Sequence, residues 1–244
     1  RKAGGFHGYL FHAMFSVMLF CMVFMLYPRA SISAKRIMAV LNTETSIENH
    51  PGNAQTDSGS GEHSVIFEHV DFVYPDGEEA VLKDISFSAK SGETVAFIGS
   101  TGSGKSSLIQ LIPRFYDRAS GNIYIDGQKI EDLDINALRS KIGFVPQKAH
   151  LFSGTIEENI RFGKPDATMD EIIHAAKIAQ AYDFIMEKPH QFQEQIVEGA
   201  TNVSGGQKQR LSIARALIRK PEIYIYDDSF SALDFKTDAR LRKL

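Results

Sequence analysis

Apolar residues fall along this chain in three patterns, and each predicts a different kind of element. The first is an unbroken run from Tyr9 to Tyr27, YLFHAMFSVMLFCMVFMLY. About 20 such residues are enough to cross a bilayer as a helix, so a membrane span is predicted here. A secretory signal and a buried soluble helix are the other readings of such a run. A signal has a shorter apolar core and a small-residue cleavage site. Here Pro28-Arg29 follow, and a helix-like stretch carrying Lys35 and Arg36 continues over 30–47. Basic residues just past the span place that end in the cytoplasm. His12 is an ionisable group inside the run; it faces either a bundle interior or substrate path, or the outer boundary of the membrane. A single span forms no pathway, so further membrane helices are expected upstream or on another chain.

The second pattern is alternation, the signature of strands. Val65 to Tyr74 places Val65, Phe67, Val70 and Phe72 in this way, and Asp76-Gly77 punctuates a turn. Val81–Ala89, Glu93–Ile98, the Asn122–Asp126 stretch before Gly127, Ile142–Pro146 and Ile223–Tyr226 are further β-rich runs. The third pattern is helical, and its starts are marked. Thr155-Ile-Glu-Glu158 and Thr168-Met-Asp-Glu171 fit the S/T-x-x-E capping box. The second box opens a helix predicted to run to about Lys188, where Pro189 stops it. A short helix is expected over Asn136–Lys141. The segment 155–188 therefore reads as a helical block set between β-rich stretches. Residues 48–63, ENHPGNAQTDSGSGEH, have the polar Gly/Ser-rich composition of a flexible linker.

Composition narrows the picture without supplying a function. With 27 basic and 30 acidic residues among 244, the net charge is −3, and nothing indicates a nucleic-acid surface. Cys21 is the only cysteine, which leaves no disulfide framework and no thiolate metal cluster. The chain begins at Arg1 beside the apolar run and ends at Leu244 in a charged stretch. It reads as a piece of a longer polypeptide.

Chemistry concentrates first at Gly99-Ser100-Thr101-Gly102-Ser103-Gly104-Lys105-Ser106-Ser107, which contains G-x-x-x-x-G-K-[ST]. Glycines let the backbone bend around a phosphate chain and aim N–H groups at it. The following helix offers the positive end of its dipole to the same anion. Lys105 supplies a mobile charge, and the Ser106 hydroxyl can ligate Mg²⁺. A second stretch, Ser204-Gly205-Gly206-Gln207, is a capping box at the start of a helix with period residues Leu211, Ala214 and Leu217-Ile218. Bare N–H groups at such a start form either a second anion site or a plain helix cap. A third is Asp227-Asp228, at the C-terminal end of the run Ile223–Tyr226. A carboxylate there points into the crevice where α/β sheets bind ligands, within reach of a nucleotide-bound Mg²⁺.

In their order these motifs resemble the ATP-binding cassette (ABC) transporters of the exporter type, over essentially the whole chain. The set is Tyr74, the 99–107 loop, Gln147 in Phe-Val-Pro-Gln, Val203-Ser-Gly-Gly-Gln207 with Lys208-Gln-Arg210, Tyr226-Asp-Asp228 and Ser231-Ala-Leu-Asp234. The resemblance implies an α/β P-loop NTPase fold. It has a parallel-sheet core, an antiparallel β subdomain and an inserted helical subdomain at about 153–205, preceded by one transmembrane helix. The implied division is a last transmembrane helix and its cytoplasmic extension over 1–47, the linker 48–63 and the cassette 64–244. Tyr74 would stack on adenine. Lys105 and the 99–104 backbone would hold the ATP phosphates. Ser106, Gln147 and Asp227 would organise Mg²⁺, and Gln147 would also sense the membrane domain. Ser204 to Gln207 would contact ATP bound to a second cassette, and Asp234 would link the two sites. The implied assembly is a pair of half-transporters in a membrane, with the cassettes cytoplasmic.

The sequence departs from the family pattern at Asp228, where the family carries a glutamate acting as general base. Aspartate is one methylene shorter, so its carboxylate falls short of the attacking water by about one C–C bond, and general-base help of the order of 10²–10⁴ depends on that reach. Slow hydrolysis at this subunit's own site is expected. The resemblance makes a substitution of this kind with an intact SGGQ the pattern of one half of a heterodimeric exporter; the other reading is a neutral variant in a homodimer. Val203 stands where leucine is usual, a mild change, and the expected switch histidine does not occur before Leu244. The rival readings are a cassette ATPase without transport, which the 9–27 run argues against, and an ATP-binding regulatory subunit with little hydrolysis of its own. The transported substrate is not written in these residues.

Overall fold

The structure, a computed structural model, describes residues 3–45, 47–49 and 64–229. The chain divides between Glu48 and Asn49 into two units.

The first unit is one helix, α1 (Ala3–Leu41). At 1.5 Å per residue its 39 residues extend roughly 58 Å, well beyond the ~30 Å hydrocarbon thickness of a bilayer. Within Gly8–Leu41 a stretch of 18 residues reaches a mean hydropathy of 2.1, with none of that stretch buried. Phe11, Phe20, Phe24 and Tyr27 all stand exposed. By length and composition the helix is able to cross a membrane. Pro28 lies inside it. Proline removes one backbone donor from the ladder, yet the helix continues through that point, joining the predicted span to its predicted extension. It ends at Leu41, short of the expected Ile47. There the Thr43 hydroxyl donates to the Ala39 carbonyl at 2.8 Å, and the Thr43 amide donates to Val40. The side chain thus takes over a carbonyl that a further turn would have used.

The second unit opens with an antiparallel hairpin. β1 (Ser64–Phe72) and β2 (Leu82–Lys90) pair antiparallel. After the loop comes α2 (Lys105–Leu111), then β3 (Ser120–Ile125), which pairs with β1, and β4 (Gln128–Lys129). The sheet order is β2-β1-β3-β4. The turn between β3 and β4 is Asp126-Gly127, both at positive φ, which suits a tight hairpin. α3 (Ile135–Ser140) follows, its Asp134 cap accepting from the amides of Asn136 and Ala137. Asn49 also docks there. It donates to Asp134 at 2.9 Å and accepts from the Ile135 amide. Asn49, within the predicted linker, is therefore tied to the start of α3; residues 50–63 lie outside the described residues.

β5 (Ile142–Val145) comes next. β6 (Gly154–Thr155), α4 (Ile156–Arg161), α5 (Met169–Ile178), α6 (Tyr182–Met186) and β7 (Gln195–Ile196) then build the helical block. α7 (Gly205–Leu217) and β8 (Ile223–Tyr226) complete the described part. β8 lies parallel to β5, with Ile142 opposite Ile223 and Val145 opposite Tyr226. The fold is the α/β cassette expected from the motif order, with an antiparallel sheet, a parallel pair and an inserted helical block.

Two apolar clusters hold this unit together. One joins the antiparallel sheet (Phe67, Phe72, Ile123, Ile125) to Leu108 and Leu111 of α2, Leu138 of α3, Ile142 and Ile225. The other gathers Ile156 and Ile160, Ile172 and Ala176, Ile185, and Leu211 and Ala214 of α7 around Val145, with Tyr226 against them. Side chains alternate across a strand, so β5 and β8 contribute to both clusters. Their ends are thereby held from two sides.

Two expectations are corrected. Residues 93–98 form no strand: among the described residues no ladder partner runs beside them, and Ile98 is 96% exposed. A strand is a property of a pair, so β-rich composition without a neighbour yields an extended segment only. The predicted helix from Thr168 to Lys188 is two helices. Gln180 sits at φ 55, the Ala181 amide donates to Ala176 O and the Gln180 amide to Lys177 O. That is a Schellman ending built on glutamine instead of glycine, so no residue type announced it.

Candidate functional site

The loop before α2 is shaped by its glycines. Gly102 and Gly104 hold φ of 85 and 86, a region that other residues enter only at a penalty of about 1 kcal/mol or more. Gly104 is also squeezed: a Cβ on it would stand 2.8 Å from Leu82 Cδ2. The Ser103 amide donates to Ser100 O, and Thr101-Gly102 form the exposed crown of this turn. Lys105 folds back over the loop, its ammonium donating to the carbonyls of Gly99 at 2.8 Å and Ser100 at 2.7 Å, with Ser103 Oγ at 3.3 Å. These bonds fix a positive charge beside the loop's backbone. Ser107 turns inward, 6% exposed.

The parallel pairing of β5 and β8 brings the remaining polar groups together. Asp227, 9% exposed, leaves β8 with its amide bonded to Val145 O. Its Oδ1 accepts from the Ser106 hydroxyl at 2.8 Å, a contact between residues 121 positions apart. Gln147, one residue past Pro146 at the end of β5, donates from Nε2 to Asp228 Oδ2 at 3.3 Å. Asp228 holds φ 45, the left-handed region. The buried Ser229 hydroxyl donates to Val145 O at 2.8 Å. Behind the site, burial and the neighbouring Tyr224 push the Tyr226 hydroxyl up to about 12, so it stays a neutral phenol at any physiological pH.

Ser106, Asp227 and Gln147 thus converge with Asp228 from three separate elements, as the motif order implies. Their donors are oxygen-rich: a hydroxyl, a carboxylate and an amide. Among the described residues no group of three or more His, Cys, Asp or Glu gathers to hold a metal ion. A hydroxyl and a carboxylate suit Mg²⁺, which takes one or two protein oxygens and completes its shell with water and phosphate oxygens.

Tyr74 lies near the loop but is engaged. Its ring meets Phe72 at 4.7 Å and Tyr116 at 5.1 Å, both edge-on, and its hydroxyl shares a 2.8 Å hydrogen bond with Ser107 Oγ. Tyr116 carried no sequence signal; its role in seating Tyr74 is visible only in three dimensions. Ser204 to Gln207 form a complete capping box, Ser204 Oγ accepting from the Gln207 amide and Gln207 Oε1 from the Ser204 amide. Among the described residues no hydrogen bond or ion pair joins 204–207 to 99–107, and Ser204 and Gly205 face solvent. The link from their helix to the site is Gln209, 2% exposed, which donates to Pro146 O beside Gln147. Gln209 enters the sequence only as the middle of Lys208-Gln-Arg210 and Ser229 belongs to no motif, since a polar residue in a helix or turn gives no sign of burial. Asp234 lies outside the described residues.

Comparison with known proteins places these features in a family. Residues 82–231 match the ABC transporter family profile. The chain is 49% identical over 223 residues to an uncharacterized ABC transporter ATP-binding protein, YfiB, of Bacillus subtilis (strain 168), covering 91% of this chain and 38% of that protein. It is 49% identical over 179 residues to a protein of Staphylococcus aureus (strain NCTC 8325 / PS 47) provisionally named as a multidrug export ATP-binding/permease protein, covering 73% of this chain and 31% of the relative. Among solved structures it resembles a bacterial Atm1-family ABC exporter with ATP bound, with a TM-score of 0.82, 34% identity, and coverage of 91% of this chain and 38% of that one. The chain therefore spans between 31% and 38% of the length of these relatives. With a family match that runs from β2 past β8 and a fold that agrees with it, the chain belongs to the ABC transporter family.

Proposed function

We propose that this chain supplies an ATP-binding cassette and a membrane-spanning helix to an exporter, and that it works paired with a second cassette. The observation that carries the reading is the convergence of Ser106 on Asp227 at 2.8 Å and of Gln147 on Asp228 at 3.3 Å, beside the glycine loop. The loop backbone of 99–104 and Lys105 bind the phosphates of ATP. Ser106 and Asp227 hold Mg²⁺ with Gln147 alongside, and bound Mg²⁺ supplies charge neutralisation across the phosphates. Tyr74 provides an aromatic face for adenine once it turns out from Tyr116. The Ser204–Gln207 cap, exposed at Ser204 and Gly205, presents N–H donors to ATP held by the second cassette, which makes the two sites mutual.

Asp228 sets the rate. Its carboxylate is aimed at Gln147 but sits on a side chain one methylene shorter than glutamate. It therefore orients the attacking water poorly and takes up its proton slowly. The subunit is accordingly the weakly hydrolysing half of a heterodimer, its intact 204–207 cap completing the site of its partner. Names among its relatives support export, multidrug export among them; the cargo itself is set by membrane helices beyond α1. In this arrangement the helical residues 153–205 form the subdomain that carries the cap, and residues 1–47 form the last membrane helix and its extension.

The test is ATP turnover by the full-length subunit, alone and with its partner, comparing wild type with Asp228→Glu. Turnover rising tenfold or more in the variant is expected. Wild type already matching the variant would sink the heterodimer reading in favour of a symmetric exporter. No turnover from either, with ATP still bound, would make this an ATP-binding regulatory subunit instead.

A further inference from the structure

Asp228 occupies a conformation that L-residues avoid. With φ at 45 its backbone sits in the left-handed region, where the side chain crowds a carbonyl. Aspartate tolerates this better than most residues, but the turn still needs something to hold it. Asp228 carries its carboxylate to Gln147, so whatever holds the turn also sets where that carboxylate points.

The holding group is the next residue. Ser229 is fully buried, at 0% exposure. Its hydroxyl donates to Val145 O at 2.8 Å and has Asp227 O at 3.3 Å as a second acceptor. Val145 O also receives the Asp227 amide at 3.0 Å. The carbonyl that ends β5 thus grips the residues on either side of Asp228. The hydroxyl closes a short loop over 227–229 and leaves Asp228 at its apex. A buried hydroxyl without an acceptor is strongly disfavoured, so Ser229 cannot swing away without leaving its own donor unpaired. Relaxing Asp228 to negative φ would drag Ser229 out of this pocket.

We infer that Ser229 is a positioning residue: its buried hydroxyl, anchored on Val145, holds Asp228 in the left-handed turn that aims the carboxylate at Gln147. The inference rests on the proposed role of Asp228 in hydrolysis. Ser229 touches no reacting atom in this scheme; it acts through Asp228. Its removal therefore alters the rate of hydrolysis and leaves ATP binding, which belongs to the 99–106 loop, as it was.

The experiment is a two-by-two cycle in the full-length transporter with its partner subunit: wild type, Ser229→Ala, Asp228→Glu and the double variant, each assayed for kcat and for KM of MgATP. Asp228→Glu alone is expected to raise kcat tenfold or more. With Ser229→Ala also present the gain is expected to fall below threefold, while KM stays within twofold. Equal gains with and without Ser229, or a loss confined to KM, would overturn the inference. Ser229→Cys keeps the side chain's size but weakens the donor, so it gives the same attenuation if Ser229→Ala does not fold. A structure of the Ser229 variant separates this inference from the reading beneath it. If Asp228→Glu changes nothing, the role given to Asp228 fails. Ser229 is then judged by the turn alone. If φ of Asp228 leaves the left-handed region and its carboxylate swings away from Gln147, the positioning role stands; an unchanged turn refutes it.

Discussion

Two residues outside glycine that hold positive φ mark a place where side-chain contacts overrule local preference in this protein. His69 and Asp84, at φ 51 and 52, face each other across the irregular part of the β1–β2 pairing. His69 Nδ1 lies 2.6 Å from Asp84 Oδ1, the His69 amide donates to Ser86 Oγ, and the Asp84 amide donates to Asp71. The hydrogen bond to the Asp84 carboxylate, with its charge, raises His69 above the ordinary value of 6.5. The sign follows from linkage. A histidine whose folded value exceeds its unfolded one stabilises the fold fully below the unfolded value, and that contribution disappears as pH rises through the folded value. A histidine-resolved NMR titration is expected to give a His69 midpoint above 6.5, and Asp84→Asn is expected to lower it. Both groups are exposed, 82% and 76%, so salt is expected to weaken the effect. The neighbouring Asp71 moves the other way, held below its usual range by the hydrogen bond from Ser120.

At the scale of elements, helix starts behaved as their sequences required and helix ends did not. The capping boxes at Thr155, Thr168 and Ser204 are all formed on both arms, because each needs only residues three apart on one chain. The packing of α4 on α7 depends on a close approach instead. A Cβ added at Gly163 would run into the Arg215 carbonyl oxygen and meet Ile218 Cγ2 at 2.8 Å. The same junction is tied by Arg215, whose guanidinium donates to Asn159 O and His150 O and lies over Phe152 and Phe162. Burial depresses the Arg215 value, though guanidinium remains charged throughout the accessible range. Asn159 is itself buried, and its amide bonds Phe152 O and Thr155 O. Gly163→Ala must separate the helices or bend them. A loss of about 1–3 kcal/mol is expected, as for overpacking in general, read as a lower urea midpoint with an unchanged slope. An unchanged midpoint would mean that the crossing adjusts freely.

For the molecule as a whole, the decisive contrast is between a helix that buries nothing and a unit with two packed clusters. Along α1 the described apolar side chains stand exposed from Tyr9 to Leu41, far more contiguous apolar surface than a soluble monomer keeps in water. Hydrocarbon satisfies such a helix, since its backbone is bonded internally. The full chain is therefore expected to sediment with membranes, resisting high salt and alkaline carbonate and yielding to detergent. Release by salt alone would sink the spanning reading. Within the second unit, β5 and β8 contribute to both clusters, so the strand ends that lead into Pro146, Gln147 and Asp227 are packed from two sides. Gln209 of α7, bonded to Pro146 O, ties the helix that begins at Ser204 to the same place.

The motifs of this protein are legible because they depend on short-range chemistry. A glycine loop with its lysine, a capping box and a carboxylate after a β-rich run are each defined by residues close together in the chain. The order of Tyr74, 99–107, Gln147, 204–207 and 227–228 is enough to indicate the fold. Other features depend on which distant segment lies opposite, and no single stretch holds that information. Residues 93–98 look like a strand and form none for want of a partner. Gln180 ends a helix that its composition favours; the long-range contact at that turn is Arg210 of α7, whose guanidinium donates to Gln180 O. Tertiary structure alone decided that Ser106 meets Asp227 across 121 positions, that Tyr74 rests on Tyr116, and that a buried serine grips the turn at Asp228. Composition along the chain sets what each segment can do; the parallel pairing of β5 with β8, which buries two strand ends between two cores, sets which of those groups meet.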